Sequence, residues 1–137
     1  MPHLTLEYSA NLADETDMRR LCAELAQCLD AQRDGERKVF PTGGIRVRAL
    51  RSDAYFIADG SIIDAAFVHA NLKLGKGRSP AVIEAARTAL FDVIKRHFAD
   101  TYKTRGFAAS LEVSEFGPAG TLKYNNLHDR LAVRVGE

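Results

Sequence analysis

The chain has 137 residues, 46% of them hydrophobic and 27% charged, with a formal net charge of +1 at pH 7. That balance belongs to one soluble globular domain, here 1–137, and it excludes a general electrostatic pull toward nucleic acid or an anionic membrane. No apolar run reaches the roughly 20 residues of a bilayer span, and the opening Met-Pro-His-Leu-Thr-Leu-Glu-Tyr lacks the regions of a signal or transit peptide, so a cytoplasmic location is expected.

His3 to Tyr8 alternates, Leu4 and Leu6 against His3, Thr5 and Glu7, and this predicts a half-buried strand. Asp14, with Asp17 behind it, offers a helix cap. Met18, Leu21, Cys22, Leu25, Cys28 and Leu29 then follow at steps suited to an amphipathic helix, which Asp34-Gly35 is expected to close. Cys22 and Cys28 read as small core residues kept as thiols, because no metal-ligand spacing accompanies them. Pro41, Gly43 and Gly44 bound a turn into a second strand, in which Ile45, Val47 and Ala49 alternate with Arg46, Arg48 and Leu50. Asp59-Gly60 marks a further turn.

The pattern then repeats. Ala66 to Leu74 reads as a strand, Gly75-Lys76-Gly77 as a turn, and Ser79-Pro80 as a cap with proline at the first helical position. Ile83, Ala86, Leu90, Phe91, Ile94 and Phe98 form a second helical stripe, expected to end near Tyr102. Ala109 to Phe116 supplies the last strand, and in the tail Leu127 and Leu131 form a short apolar pair expected to dock irregularly.

Residues 2–57 and 66–116 are therefore two strand-helix-strand units offset by about 65 residues, followed by a tail over 117–137. Each βαβ unit pairs its strands in parallel through a right-handed crossover. Two of them give an α+β fold, a four-stranded mixed sheet with both helices on one face. The second face then requires a cover, and with no third long helix available, other subunits are expected to supply it.

Three places carry chemistry. Pro2 is in itself an ordinary start, but removal of Met1 would leave a secondary amine fixed at the head of a strand. Cations or apolar walls around that amine would lower its pKa and make it a general base near neutrality. Arg46, Arg48 and Arg51 cluster in the second strand, with Arg46 delivered directly by the Pro-Thr-Gly-Gly turn, where its fork could grip a carboxylate. Gly75-Lys76-Gly77-Arg78-Ser79-Pro80 sets cations and glycines at a helix N-terminus, which favours an anion, although the spacing is not that of a P-loop. Two anion clamps would suit a dianionic substrate. His3 and His69 occupy matching places in the two units; His69, within an apolar run, reads as a buried histidine, and His97 and His128 have no evident partner.

Taken in order, Met-Pro-His at the start, Phe40-Pro41 leading to Gly44-Ile45-Arg46-x-Arg48, and Ala58-Asp59-Gly60 form one half of a pattern. Phe67-Val68-His69, Leu72 to Gly75, Gly77-Arg78-Ser79 and Asn125-Asn126-x-His128 complete it. The set closely resembles the 5-carboxymethyl-2-hydroxymuconate isomerases of the tautomerase superfamily, from residue two to about 131. The resemblance implies a homotrimer with the sheets inside and the helices outside, and a cofactor-free isomerase acting on a small di- or tricarboxylate in homoprotocatechuate breakdown. It implies catalysis by Pro2 and substrate binding by Arg46 and Arg78, with the role of Arg48 open. Gln32 to Lys38 are additional to the pattern and could reshape the approach to the site. Two alternatives stand beside this one: an enzyme of the same fold acting on another 2-hydroxydienoate, and a non-catalytic anion-binding trimer.

Overall fold

The structure is a computed structural model describing residues 1–14 and 16–136. Its main sheet holds β1 (His3–Ser9), β4 (Arg46–Ser52), β5 (Ala66–Leu74) and β6 (Phe107–Glu115) in the order β4-β1-β5-β6. β1 pairs in parallel with β4, and β5 with β6, while β1 and β5 meet antiparallel at the centre. The sheet is mixed, as the two crossover units require.

Helices α1 (Met18–Asp30) and α2 (Pro80–His97) cover one face. Leu21, Leu25 and Leu29 of α1 and Ala86, Leu90 and Ile94 of α2 are buried with Leu4, Leu6, Val68, Ala70 and Leu72 in one cluster. Each leucine so buried contributes on the order of 2 kcal/mol of transfer free energy. Ser79 caps α2 by accepting from the Val82 N–H at 3.3 Å, with Pro80 at the first helical position. A short helix, α3 (Ala99–Thr104), continues α2 beyond Phe98, whose ring is buried in the core.

Several local expectations differ from what is found. Asp17, not Asp14, caps α1, accepting from the Arg20 N–H at 2.9 Å. The helix stops at Asp30, short of Asp34-Gly35, because side chains take over its terminal carbonyls: Arg33 and Lys38 donate to the Asp30 carbonyl at 2.7 and 3.2 Å. Asp34-Gly35 instead forms the tip of a hairpin, β2 (Arg33–Asp34) against β3 (Arg37–Lys38), with Gly35 at φ +63°. The tail is not irregular but ends in a helix, α4 (Leu127–Gly136), which packs on the Thr42–Gly44 turn.

The second sheet face is open and largely polar, carrying His3, Thr5, Glu7, Arg48, His69, Asn71, Lys73, Ser110 and Glu112. His69 is therefore half-exposed rather than buried, 2.7 Å from Ser110 Oγ and 3.4 Å from Glu112 Oε1. Apart from Leu50, which lies on this face, exposed apolar side chains gather elsewhere, at Phe56, Ile62 and Ile63 in the β4–β5 connection and at Leu122 and Tyr124 in the tail. No helix among the described residues is long and apolar enough to cross a membrane.

Candidate active site

The site is built around the start of β1. Pro2 is buried, and its carbonyl accepts the Arg46 N–H at 3.0 Å, so the first residues are tied to the head of β4. The Pro41–Gly44 segment turns beneath them as one turn of 3₁₀ helix. A Cβ on Gly44 would lie 3.2 Å from Met1 Cα, and one on Gly43 only 2.7 Å from His128 Nδ1. Both glycines are thus needed for close approach, one to the chain's first residue and the other to the tail.

Arg46 folds back on this turn, donating through Nη1 to the carbonyls of Gly43 at 2.8 Å and Ile45 at 3.0 Å. The Gly43 carbonyl also accepts from Asn125 Nδ2 at 3.4 Å. Arg78 arrives from the loop before α2. Its guanidinium lies 4.7 Å over the ring of the fully buried Phe40 and donates to the carbonyls of Gly75 and Val39, both at 3.2 Å. Its Nε is buried without a partner, a donor poised for an acceptor.

These charges act on the amine at the chain start. The Met1 amino group is held below its ordinary value, first by burial and then by Arg78, Lys123 and Arg46. Arg46 and Arg78 are marked in the sequence by a turn and a helix start; Lys123, an exposed tail residue, is not, since its neighbours in sequence give no sign of its position in space. Arg48, by contrast, is engaged with His3, its Nη1 3.1 Å from Nδ1. Burial, then Arg48 and Arg46, push the His3 pKa down, so the neutral ring accepts from the guanidinium. His97 is half-buried and bonded to Thr16 Oγ1, and Cys22 and Cys28 are half-buried thiols. Among the described residues no three of His, Cys, Asp and Glu gather to hold a metal ion. What converges here is an amine terminus of lowered basicity, two arginines with spare donors, and buried surface.

Two parallel strand pairs joined antiparallel, both helices on one face and a strand opening at Pro2 define a protein of the tautomerase fold. A macrophage migration inhibitory factor-like protein from Entamoeba histolytica shares that fold with a TM-score of 0.58 and 16% identity, over 90% of this chain and 96% of its own. The chain belongs to the 5-carboxymethyl-2-hydroxymuconate isomerase family, whose model matches residues 2–131. It is 39% identical to the 5-carboxymethyl-2-hydroxymuconate Delta-isomerase of Escherichia coli, over 93% of this chain and 97% of that one. A crystal structure of a 5-carboxymethyl-2-hydroxymuconate isomerase from Deinococcus radiodurans R1 superposes with a TM-score of 0.86 at 44% identity, covering 95% of this chain and 93% of the other.

Proposed function

We propose that this protein is a cofactor-free isomerase that converts 5-carboxymethyl-2-hydroxymuconate to its 2-oxo-3-ene isomer, with Pro2 as general base and acid. Family membership and the matched relatives support the reaction. The observation that supports the assignment of groups is the convergence of Arg78 and Arg46 on the buried amine end of β1.

Removal of Met1 makes the Pro2 nitrogen a secondary amine, exposed to the same burial and the same cations that lower the Met1 amine. Its neutral form takes the proton of the substrate's 2-hydroxyl. The O–H electron pair becomes the carbonyl π bond, the double bonds shift along the chain, and the far alkene carbon takes the proton back from the prolinium. No redox partner is required, and the proline returns to its starting state. Negative charge builds on the 2-oxygen in between, and a guanidinium aimed at that oxygen and the neighbouring carboxylate stabilises the transition state more than the ground state. Arg46 and Arg78 fill these two roles, one at the 2-oxo acid end and the other at a remote carboxylate. Arg48, held by His3, tunes the charge of the strand face from a distance. The protein acts as a homotrimer in the cytoplasm, its exposed Phe56, Ile63, Leu122 and Tyr124 covered by neighbouring subunits.

The test is ketonisation of the substrate followed by ultraviolet absorbance, with intact mass confirming loss of Met1. Pro2→Ala replaces the secondary amine by a primary one in a different position, and kcat is expected to fall about 10²-fold or more, as for other displaced general acid–base groups. A processed wild-type protein no faster than buffer overturns the assignment.

A further inference from the structure

The substrate proposed above carries three carboxylates, and the two arginines at the amine account for two of them. We propose that Arg37, carried on the β2–β3 hairpin, is the cation that receives the third, the carboxymethyl group; this rests on the isomerase reading.

The hairpin comprises the residues that the family pattern does not predict, and it is braced rather than loose. Lys38 Nζ and Thr42 Oγ1 both meet Asp30 Oδ1, at 2.6 and 2.5 Å, and the Val39 N–H donates to the Gln32 carbonyl at 3.1 Å. Lys38 is thereby neutralised by Asp30. Arg37 is not: it is exposed, and among the described residues its side chain has no ion pair or hydrogen bond. It lines a cavity of about 260 Å³ together with Arg78, Ser79 and Val82. Arg78 therefore borders both the amine and this cavity, and the Val39 carbonyl that accepts from it lies two residues beyond Arg37. The positive end of α2 faces the same volume, adding to its preference for an anion.

One group opposes. Asp34 also lines the cavity and stands directly across the hairpin from Arg37, yet forms no ion pair with it. Its charge repels an incoming carboxylate, so Asp34→Asn is expected to lower KM for the tricarboxylate. Lys123 is the competing candidate, since it too has no partner among the described residues and acts on the amine, but it sits in a stretch without helix or strand and does not line the cavity that Arg37 and Arg78 share.

Steady-state kinetics on two substrates separate the cases: the tricarboxylate, and 2-hydroxymuconate, which lacks the carboxymethyl arm. Arg37→Ala is expected to raise KM for the tricarboxylate about tenfold with kcat retained, the scale of one charge-assisted hydrogen bond, and to leave the dicarboxylate unchanged. Arg37→Lys is expected to recover part of the loss. No change on the tricarboxylate, equal losses on both substrates, or a selective loss in Lys123→Gln but not in Arg37→Ala each overturn the proposal. Wild-type protein inert toward both substrates overturns the isomerase reading itself, before any variant is compared.

Discussion

Arg78 lies over an aromatic ring, donates to two carbonyls and lowers the pKa of the amine at the chain start, and among the described residues no other side chain near the amine does all three. A lysine at this position would keep the charge but lose the planar fork, so it could not stack on Phe40 while reaching both Gly75 and Val39. The pH profile isolates its electrostatic part. Burial and neighbouring cations keep the amine pKa down, so its neutral form is retained at lower pH than in an ordinary α-amine, and with Pro2 as the proposed base kcat/KM is expected to fall on the acid side of that pKa. In Arg78→Ala the largest of the cationic influences is gone, the amine pKa rises, and the acid limb of kcat/KM is expected to move to higher pH. A variant whose rate drops with an unmoved limb would show that Arg78 binds substrate without acting on the base.

The elements most readily read from sequence were those with a strict period. β5 was expected and found at Ala66–Leu74, because alternation buries Ala66, Val68, Ala70, Leu72 and Leu74 on the helix side while Phe67, His69 and Asn71 face away. The misreadings share a cause, namely partners distant in sequence. Asp34-Gly35 has the composition of a helix stop, but Arg33 and Lys38 return to the last turn of α1 and end it earlier. Helix α4 shows only Leu127 and Leu131 as a periodic signal, too little for a stripe, and depends on packing against the Thr42–Gly44 turn. In the site, Arg46 and Arg78 were legible because a turn and a helix start mark them locally. The stacking of Arg78 on Phe40 and the position of Lys123 come from tertiary contacts no local pattern encodes. The junction of α1 and α2 carries a testable pH dependence. His97, at the end of α2, is bonded to Thr16 and has its pKa lowered first by burial, and His3 is lowered likewise. Between those folded values and the ordinary value near 6.5, the unfolded chain binds more protons than the folded one, so stability rises with pH. That contribution is complete above about pH 6.5 and is lost as pH falls through the folded values. Thermal unfolding is expected at lower temperature at acid than at neutral pH, with a smaller difference in His97→Gln.

For the whole molecule, the sheet's open face is polar enough to stand in water, and most of the exposed apolar surface lies in the loops and tail. Phe56 is 77% exposed, Ile63 96%, and Leu122 and Tyr124 are fully exposed, a combination costly for an isolated 15.1 kDa chain. Light scattering is expected to give about three chain masses. Introducing charge through Phe56→Asp and Tyr124→Asp together is expected to yield smaller species with the far-ultraviolet dichroism of the parent, since neither side chain belongs to the core. A trimer that survives both changes would place its contacts on the sheet edges instead.

The carbonyl of Gly43 has two donors, Arg46 and Asn125, and this redundancy bears on how freely the arginine can move. In the proposed role of Arg46, a swing of its guanidinium to a ligand would leave the amide of Asn125 behind, so the buried acceptor would not be stranded. The tail thus acts as a stand-in that lowers the cost of releasing the guanidinium, a cost otherwise of about 1–3 kcal/mol for an orphaned buried group. Asn125→Ser retains an oxygen able to replace Oδ1 as acceptor for the Leu127 N–H, which it now meets at 2.6 Å, while removing the amide donor. Arg46 then becomes the carbonyl's sole side-chain partner and leaves it reluctantly: KM is expected to rise several-fold while kcat and the unfolding temperature hold.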